Sequence, residues 1–312
     1  MATATDPIVV EVTRSGTVES THLVDVAVVD GDGRLALSAG DPDHLAAFRS
    51  SVKPLQALVC LEQGWQPSGS AALAIASASH NGEPGHIEAA RQILADSGLS
   101  EDLLRCPEAW PARADDIAGV PARRRVFHNC SGKHSAFLAT CAVRGWPFDS
   151  YLDPAHDLQR AILARVGAAM REEPRAILVD GCGAPTPVAS LAGFARAFGS
   201  VADAPTVASM LEHPFLVGGT DRLDSALLEA GVVTKAGAEG MSCLLIRNDQ
   251  DMFAVALKSR DGSSRARGPT IALILEQLDP AALEGVRADL LSPPTLGAGE
   301  PVGAAVAAGK LV

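Results

Sequence analysis

Aromatic residues are scarce in this chain, and basic residues are outnumbered. Phe, Trp and Tyr make up only 4% of 312 residues, so the core must be filled mainly by aliphatic side chains, Ala and Val above all. Lys and Arg number 26 against 37 Asp and Glu, a formal net charge of -11. With no basic block to neutralise phosphates, the composition argues against nucleic-acid and acidic-membrane binding. No run of 18 or more apolar residues occurs, so no membrane span is expected. The paired Cys-x-x-Cys and His-x-x-x-His spacings of common zinc sites are missing too. The start, Met1 to Pro7, lacks a basic stretch followed by an apolar one, so no signal peptide is read and a cytoplasmic location is expected. The six cysteines, Cys60, Cys106, Cys130, Cys141, Cys182 and Cys243, then read as reduced thiols rather than disulfides.

What is present is an ordinary globular composition, 47% hydrophobic and 20% charged, without linker, repeat or low-complexity block. A single domain over residues 1–312 is expected. Strand-like patterns cluster at the chain ends. Ile8 to Arg14 and Gly16 to Asp30 are followed by a turn at Gly31-Asp32-Gly33-Arg34 into Leu35-Ala36-Leu37. Ser242 to Arg247 and Met252 to Lys258 flank Asn248-Asp249-Gln250-Asp251 as a second hairpin. Between the ends, apolar residues recur at three- and four-residue steps over Pro54–Gly64, Gly85–Gly98, Ser131–Gly145, Pro154–Met170 and Thr206–His213, and again over Thr270–Leu278. This predicts an α+β fold: an antiparallel sheet from both chain ends, covered by helices, with a helical insertion. Leu296 to Lys310 reads as a loose end or a short last strand.

Three segments carry chemistry. Ser50-Ser51-Val52-Lys53 sets a serine three residues ahead of a lysine at an apparent helix start. That spacing puts both side chains on one face, and a neutral lysine there can take the serine proton. Taken alone, it is a weak motif that fits an N-capping serine beside a solvated lysine better. Ser79-His80-Asn81-Gly82-Glu83 offers a second hydroxyl or a plain turn. Asn129-Cys130-Ser131-Gly132-Lys133-His134 and Asp180-Gly181-Cys182-Gly183-Ala184-Pro185 supply two thiols, a carboxylate and an amine among glycines. These are either zinc donors or buried small hydrophobes.

Those segments, with Arg49, Gly237-Ala238-Glu239-Gly240, Ala256-Leu257-Lys258 and the N-terminal Glu11 to His22, resemble the asparaginase II family, the class 3, zinc-containing L-asparaginases. The motifs keep the family order from residue 8 to about 268. The resemblance implies a serine β-lactamase/penicillin-binding-type fold and hydrolysis of the side-chain amide of L-asparagine to aspartate and ammonia. It implies two Ser-Lys pairs, Ser50 with Lys53 and Ser79 with Lys258. It implies Zn2+ on Cys130, Lys133 and Cys182, with Lys133 neutral. It further implies that Arg49, His134, Asp180 and Gly181 hold substrate, and that the protein is a homodimer acting on a small molecule.

Two other enzyme readings and one non-enzyme reading stay open. A glutaminase or a β-lactamase-like acyl hydrolase would use the same Ser-x-x-Lys. The nearest approach to a Lys-Thr-Gly strand motif is Lys258-Ser259, which does not favour the β-lactam reading. A zinc or amino-acid sensor would keep the pocket without catalysis.

Overall fold

The computed structural model describes residues 5–248 and 251–312. The first four residues, and the middle of the expected Asn248 to Asp251 turn, lie outside them.

The amino-terminal run folds as three strands, β1 (Ile8–Arg14), β2 (Thr17–Val29) and β3 (Leu35–Ala39), and β4 (Leu45–Ala47) follows. The helical middle comprises α1 (Lys53–Glu62), α2 (Ser70–Ala76), α3 (Pro84–Asp96), α4 (Ala114–Ile117), α5 (Ser131–Arg144) and α6 (Asp157–Met170). Next come β5 (Ala176–Val179) and β6 (Pro185–Ser190), then α7 (Leu191–Gly199), α8 (Pro205–Glu212), α9 (Pro214–Val217) and α10 (Leu223–Glu229). The chain closes with β7 (Val233–Ala236), β8 (Met241–Arg247), β9 (Met252–Ser259), α11 (Arg267–Leu278), α12 (Ala288–Leu291), β10 (Pro294–Gly297) and β11 (Glu300–Ala308).

Both chain ends build one antiparallel sheet, in the order β10-β11-β1-β2-β9-β8-β7 with β3 paired to β2. The expected α+β architecture is therefore present, with the helical region inserted between the amino-terminal and carboxy-terminal strands. The carboxy-terminal tail is better ordered than its Ala/Gly content suggests. Val306 lies opposite Glu11, so β11 is a full member of the sheet. The small sheet β4-β6-β5 and strand β7 carry no clear alternation and were not foreseen.

The period-2 pattern of β2 divides the interior. Val24, Val26 and Val28 face one core with Ile271, Ile274 and Leu275 of α11. Ala27 and Val29 face the larger core, which holds Phe48, Leu55, Phe137 and Phe194 among the helices. Helix α7 packs on β2 and β9 in that second core. The segment ahead of α1 rests on β7 and β8, so the start of the helical middle meets the sheet edge.

Candidate active site

Lys53 is the first residue of α1, after a short 3-10 turn over Arg49–Val52. Pro54 tolerates this position because the first helical turn does not need every N–H. The turn is clamped on both sides. Phe48 stacks on Phe194 with ring centroids 4.2 Å apart. The Phe48 N–H donates to Pro187 O, and the Arg49 N–H donates to Thr186 Oγ1. Between these anchors Arg49 takes φ +51, a left-handed conformation that costs an arginine free energy and is held only by its surroundings. The Ser51 hydroxyl donates to Lys235 O at 2.9 Å, tying the turn to β7.

Lys53 is fully buried. Its amine donates to Ala78 O, to Ser79 Oγ at 3.0 Å and to Asn129 O at 3.3 Å. Three acceptors thus match the three N–H directions of an ammonium. A second fully buried amine, Lys235 on β7, lies 2.7 Å from the same Ser79 Oγ and 2.8 Å from Ala236 O. Ser79, only 7% exposed, is therefore bridged by two lysines. Burial pushes Lys235 well below the ordinary lysine range. The Asp224 carboxylate, 3.9 Å away, pulls it up, and the Lys53 charge pushes it further down. Asp224 is buried too, which by itself would raise its carboxyl. The charge of Arg267 and the Ala236 N–H outweigh that and keep it ionised.

The Ser79 loop is fixed by neutral imidazoles. His80 is buried, and burial, aided by His86 and Lys53, holds it well below the ordinary imidazole range. Its Nδ1 accepts the Gly82 N–H, so its Nε2–H points to Ser131 Oγ at 3.1 Å. Gly82 has φ +74, and a Cβ there would stand 2.7 Å from Phe127 O, so the turn requires glycine.

A second cluster adjoins the first through Asn129, whose carbonyl receives Lys53 while the next residue is Cys130. Lys133 Nζ is 3.0 Å from Cys182 Sγ. The Cys130 thiol contacts Cys182 and holds that sulfur far below the ordinary thiol range, and Lys133 and His134 add to this against burial. The same contact, with burial, pushes Cys130 up. Gly132 is needed between Cys130 and Lys133, since a Cβ would meet Ile75 O at 2.2 Å. Cys182 Sγ also approaches Asp180 Oδ2 at 3.7 Å, and Asp180 Oδ1 receives Arg49 Nε at 2.5 Å and the Gly181 N–H at 2.9 Å.

Among the described residues, no group of three or more His, Cys, Asp or Glu is placed to hold a metal. The converging donors here are two sulfurs and a lysine amine, a set in which thiolate is a strong zinc ligand and the amine must first lose its proton. By donor chemistry Cys130, Lys133 and Cys182 fit zinc.

The other expected residues are placed differently. Lys258 is on β9, half-buried, with its amine on Ser259 O. Ser79 is partnered by Lys235, not Lys258, because the turn before α1 docks on β7 and carries the site to that strand. Ser50 is partly exposed on the 3-10 turn, and the Lys53 amine extends to Ser79. His134 is fully buried, with its Nδ1 2.6 Å from Tyr151 Oη. Arg49, Asp180 and Gly181 are together at the more open side of the sulfurs. The missed residue, Lys235, had one signal: a lone lysine directly after the β-branched stretch Val232-Val233-Thr234, just ahead of Gly237-Ala238-Glu239-Gly240. A charged residue in so apolar a strand needs a partner.

A serine hydroxyl held between two buried amines, at the edge of an antiparallel sheet, has the makings of acyl-transfer chemistry. The chain matches the L-asparaginase II family over residues 10–307, nearly its whole length, and belongs to that family, which makes it an L-asparaginase-type amidohydrolase. No curated protein matches it. Among solved structures it is similar to a β-lactamase from Sphaerobacter thermophilus DSM 20745, at 14% identity and a TM-score of 0.36, over 88% of this chain and 94% of that one.

Proposed function

We propose that this protein hydrolyses the side-chain amide of L-asparagine by serine acyl chemistry centred on Ser79, Lys53 and Lys235. The observation that carries the reading is the Ser79 hydroxyl 2.7 Å from one buried amine and 3.0 Å from another. With Lys235 neutral, its lone pair accepts the Ser79 O–H. Lys53 as ammonium donates to the same oxygen and favours the alkoxide that develops. Ser79 Oγ attacks the amide carbon, and its proton passes to Lys235. The tetrahedral adduct collapses, the C–N bond breaks, and the leaving nitrogen takes the proton from Lys235 to depart as ammonia. Water then cleaves the ester by the reverse proton path, releasing aspartate.

Arg49, Asp180 and Gly181 are the groups suited to the charged ends of the amino acid, since they are partly open to solvent beside the cluster. Cys130, Lys133 and Cys182 would hold zinc, which when bound supplies fixed positive charge beside the substrate. A pocket that fixes both ends of asparagine sets the amide at one depth. One extra methylene in glutamine then misplaces the reacting carbon, at a cost of about 10²-fold.

A second reading is favoured by exposure: Ser50 is more open than Ser79 and stands three residues before Lys53. In that case Ser50 carries the acyl group, and Ser79 relays its proton between the lysines. One experiment tests both. Ammonia release is measured on L-asparagine and L-glutamine, and a slowly turned-over ester analogue is trapped and mapped by mass spectrometry. An adduct on Ser79 supports the first reading, and one on Ser50 the second. No ammonia release from asparagine would sink the asparaginase assignment.

A further inference from the structure

Arginine is an odd first residue for a helix packed into the core. Arg267 opens α11, at the end where the helix dipole disfavours a cation. It shares a stripe of that helix with Ile271 and Ile274, which are buried against the sheet. Its side chain is only 12% exposed, and its Nε has no hydrogen-bond partner among the described residues. A cation placed so needs an anion close by. That anion is the buried Asp224 of α10, whose Oδ1 accepts from Arg267 Nη2 at 2.6 Å. The other carboxylate oxygen, Oδ2, accepts the Ala236 N–H at 2.9 Å. Arg267 Nη2 also donates to Ser242 Oγ at 3.2 Å, and that hydroxyl donates to Lys235 O at 3.4 Å. The carboxylate is held on both oxygens, and the strand that carries Lys235 is held with it.

The consequence lies in one gap. The Lys235 amine is 3.9 Å from Asp224 Oδ2, too far for a hydrogen bond. It is 2.7 Å from Ser79 Oγ and 2.8 Å from Ala236 O. A carboxylate in direct contact would keep Lys235 as an ammonium, which has no lone pair for the Ser79 proton. The other charges facing Lys235 are Lys53 from α1 and Arg222 just ahead of α10, whose Nη1 donates to Asn81 Oδ1 at 2.9 Å. Opposite Lys235 on β8 is Cys243, a thiol that burial keeps protonated. Of these cations, Arg267 alone is hydrogen-bonded to Asp224 among the described residues.

We propose that Arg267 is a positioning residue that withholds the Asp224 carboxylate from Lys235, so that the Lys235 amine stays free to take the Ser79 proton. It acts through Asp224, from the far core of the sheet. Its part in turnover rests on the serine–lysine reading above, whereas its hold on the Lys235 charge does not.

The test has two arms. In the first, carbon-13 NMR follows the Lys235 Cε signal, assigned by its loss in Lys235→Met, as pH is raised without substrate. Arg267→Met releases the carboxylate, so the titration midpoint should move up by about one unit or more. With Asp224→Asn added, both charges are gone and the midpoint should return to the parent value or below. An unmoved midpoint in Arg267→Met would overturn the proposal, and so would a double variant that titrates like Arg267→Met alone. Arg267→Gln, which keeps a donor but not the charge, gives the same reading if Arg267→Met does not fold. In the second arm, kcat on L-asparagine is measured against pH. The acid limb in Arg267→Met should move to higher pH with KM little changed, and Arg267→Lys, which keeps the cation, should hold it near the parent. A purely structural tie between α10 and α11 would lower the unfolding temperature and leave both midpoints in place, which also overturns the proposal. A Cε midpoint that moves while the rate limb does not would uphold the hold on charge and remove Lys235 as the base.

Discussion

Two buried lysines, about as deeply enclosed as each other, are driven in opposite directions. Lys235 and Lys133 are both shut away from water. Burial alone pushes each toward the neutral amine. At Lys235 burial wins. Its one carboxylate, Asp224, is shared with Arg267, and the Lys53 charge adds to the push. At Lys133 burial loses to the Cys182 and Cys130 sulfurs, which lift it above the ordinary lysine range. The comparison shows that enclosure does not decide a lysine's protonation. The sign and number of its close neighbours do. One site thereby holds a base ready to accept a proton, and the site beside it holds an ammonium–thiolate pair.

The largest effect that would break this contrast is on turnover. Lys235→Met should lower ammonia release by about 10³-fold or more, the scale expected when a proton acceptor is lost. The same variant should still fold, with a stability loss of about 1–3 kcal/mol from leaving Ser79 Oγ and Ala236 O without their buried amine. Near-normal turnover would remove Lys235 from the chemistry.

Stability is next. Cys182→Ala leaves the Lys133 charge buried without its sulfur, and unfolding in urea should show a loss of about 3 kcal/mol in metal-free protein. A loss within a few tenths of a kcal/mol would mean that the amine is already neutral. The two lysines also predict opposite pH slopes. The Lys133 contribution is fully present below the ordinary lysine pKa and is lost as pH rises through its raised value. For Lys235 the unfolded chain binds the extra proton, so stability rises with pH between its lowered value and the ordinary one.

Metal binding sharpens the comparison from the other side. Lys133 must surrender its proton to become a ligand, so zinc should bind more tightly as pH rises and should release protons on binding. Calorimetry in buffers of different ionisation enthalpy reads that release directly. Binding with no proton release would take Lys133 out of the donor set.

The smallest expected effect is a shift along the pH axis. The rate should fall as pH drops through the lowered Lys235 pKa, because only the neutral amine accepts the serine proton. The Asp224 carboxylate raises that pKa, so Asp224→Asn should move the acid limb of the rate profile to lower pH. A shift to higher pH would contradict the proposed charge balance around Lys235.

Much of the fold was legible in residue order. The β-branched runs at Ile8 to Val29 and Ser242 to Lys258 alternate strongly, and α5 and α6 carry clear helical spacing. The short strands β4 to β7 were not legible. They are three to six residues long, two prolines interrupt β6, and β7 is buried at every residue, so no alternation shows. The site divided in the same way. Lys53 stands in a Ser-x-x-Lys segment, and Ser79, Cys130, Lys133 and Cys182 in short glycine-containing motifs, so each is visible one segment at a time. Lys235 sits in a short apolar strand that shows no alternation, and Lys258 enters only as the lysine that the family resemblance implies.

The sequence by itself determined the sheet from both chain ends, the reduced thiols, the lack of a basic surface and the residue types of the candidate chemistry, because periodicity and composition are local properties. Tertiary structure alone decided which lysine meets which serine. That choice depends on the turn before α1 docking against β7, a contact between residues 51 and 235 that no local pattern encodes. It also decided which amine is a base and which an ammonium, since a lysine's charge is set by the dipoles and ions that folding brings within a few ångströms of it.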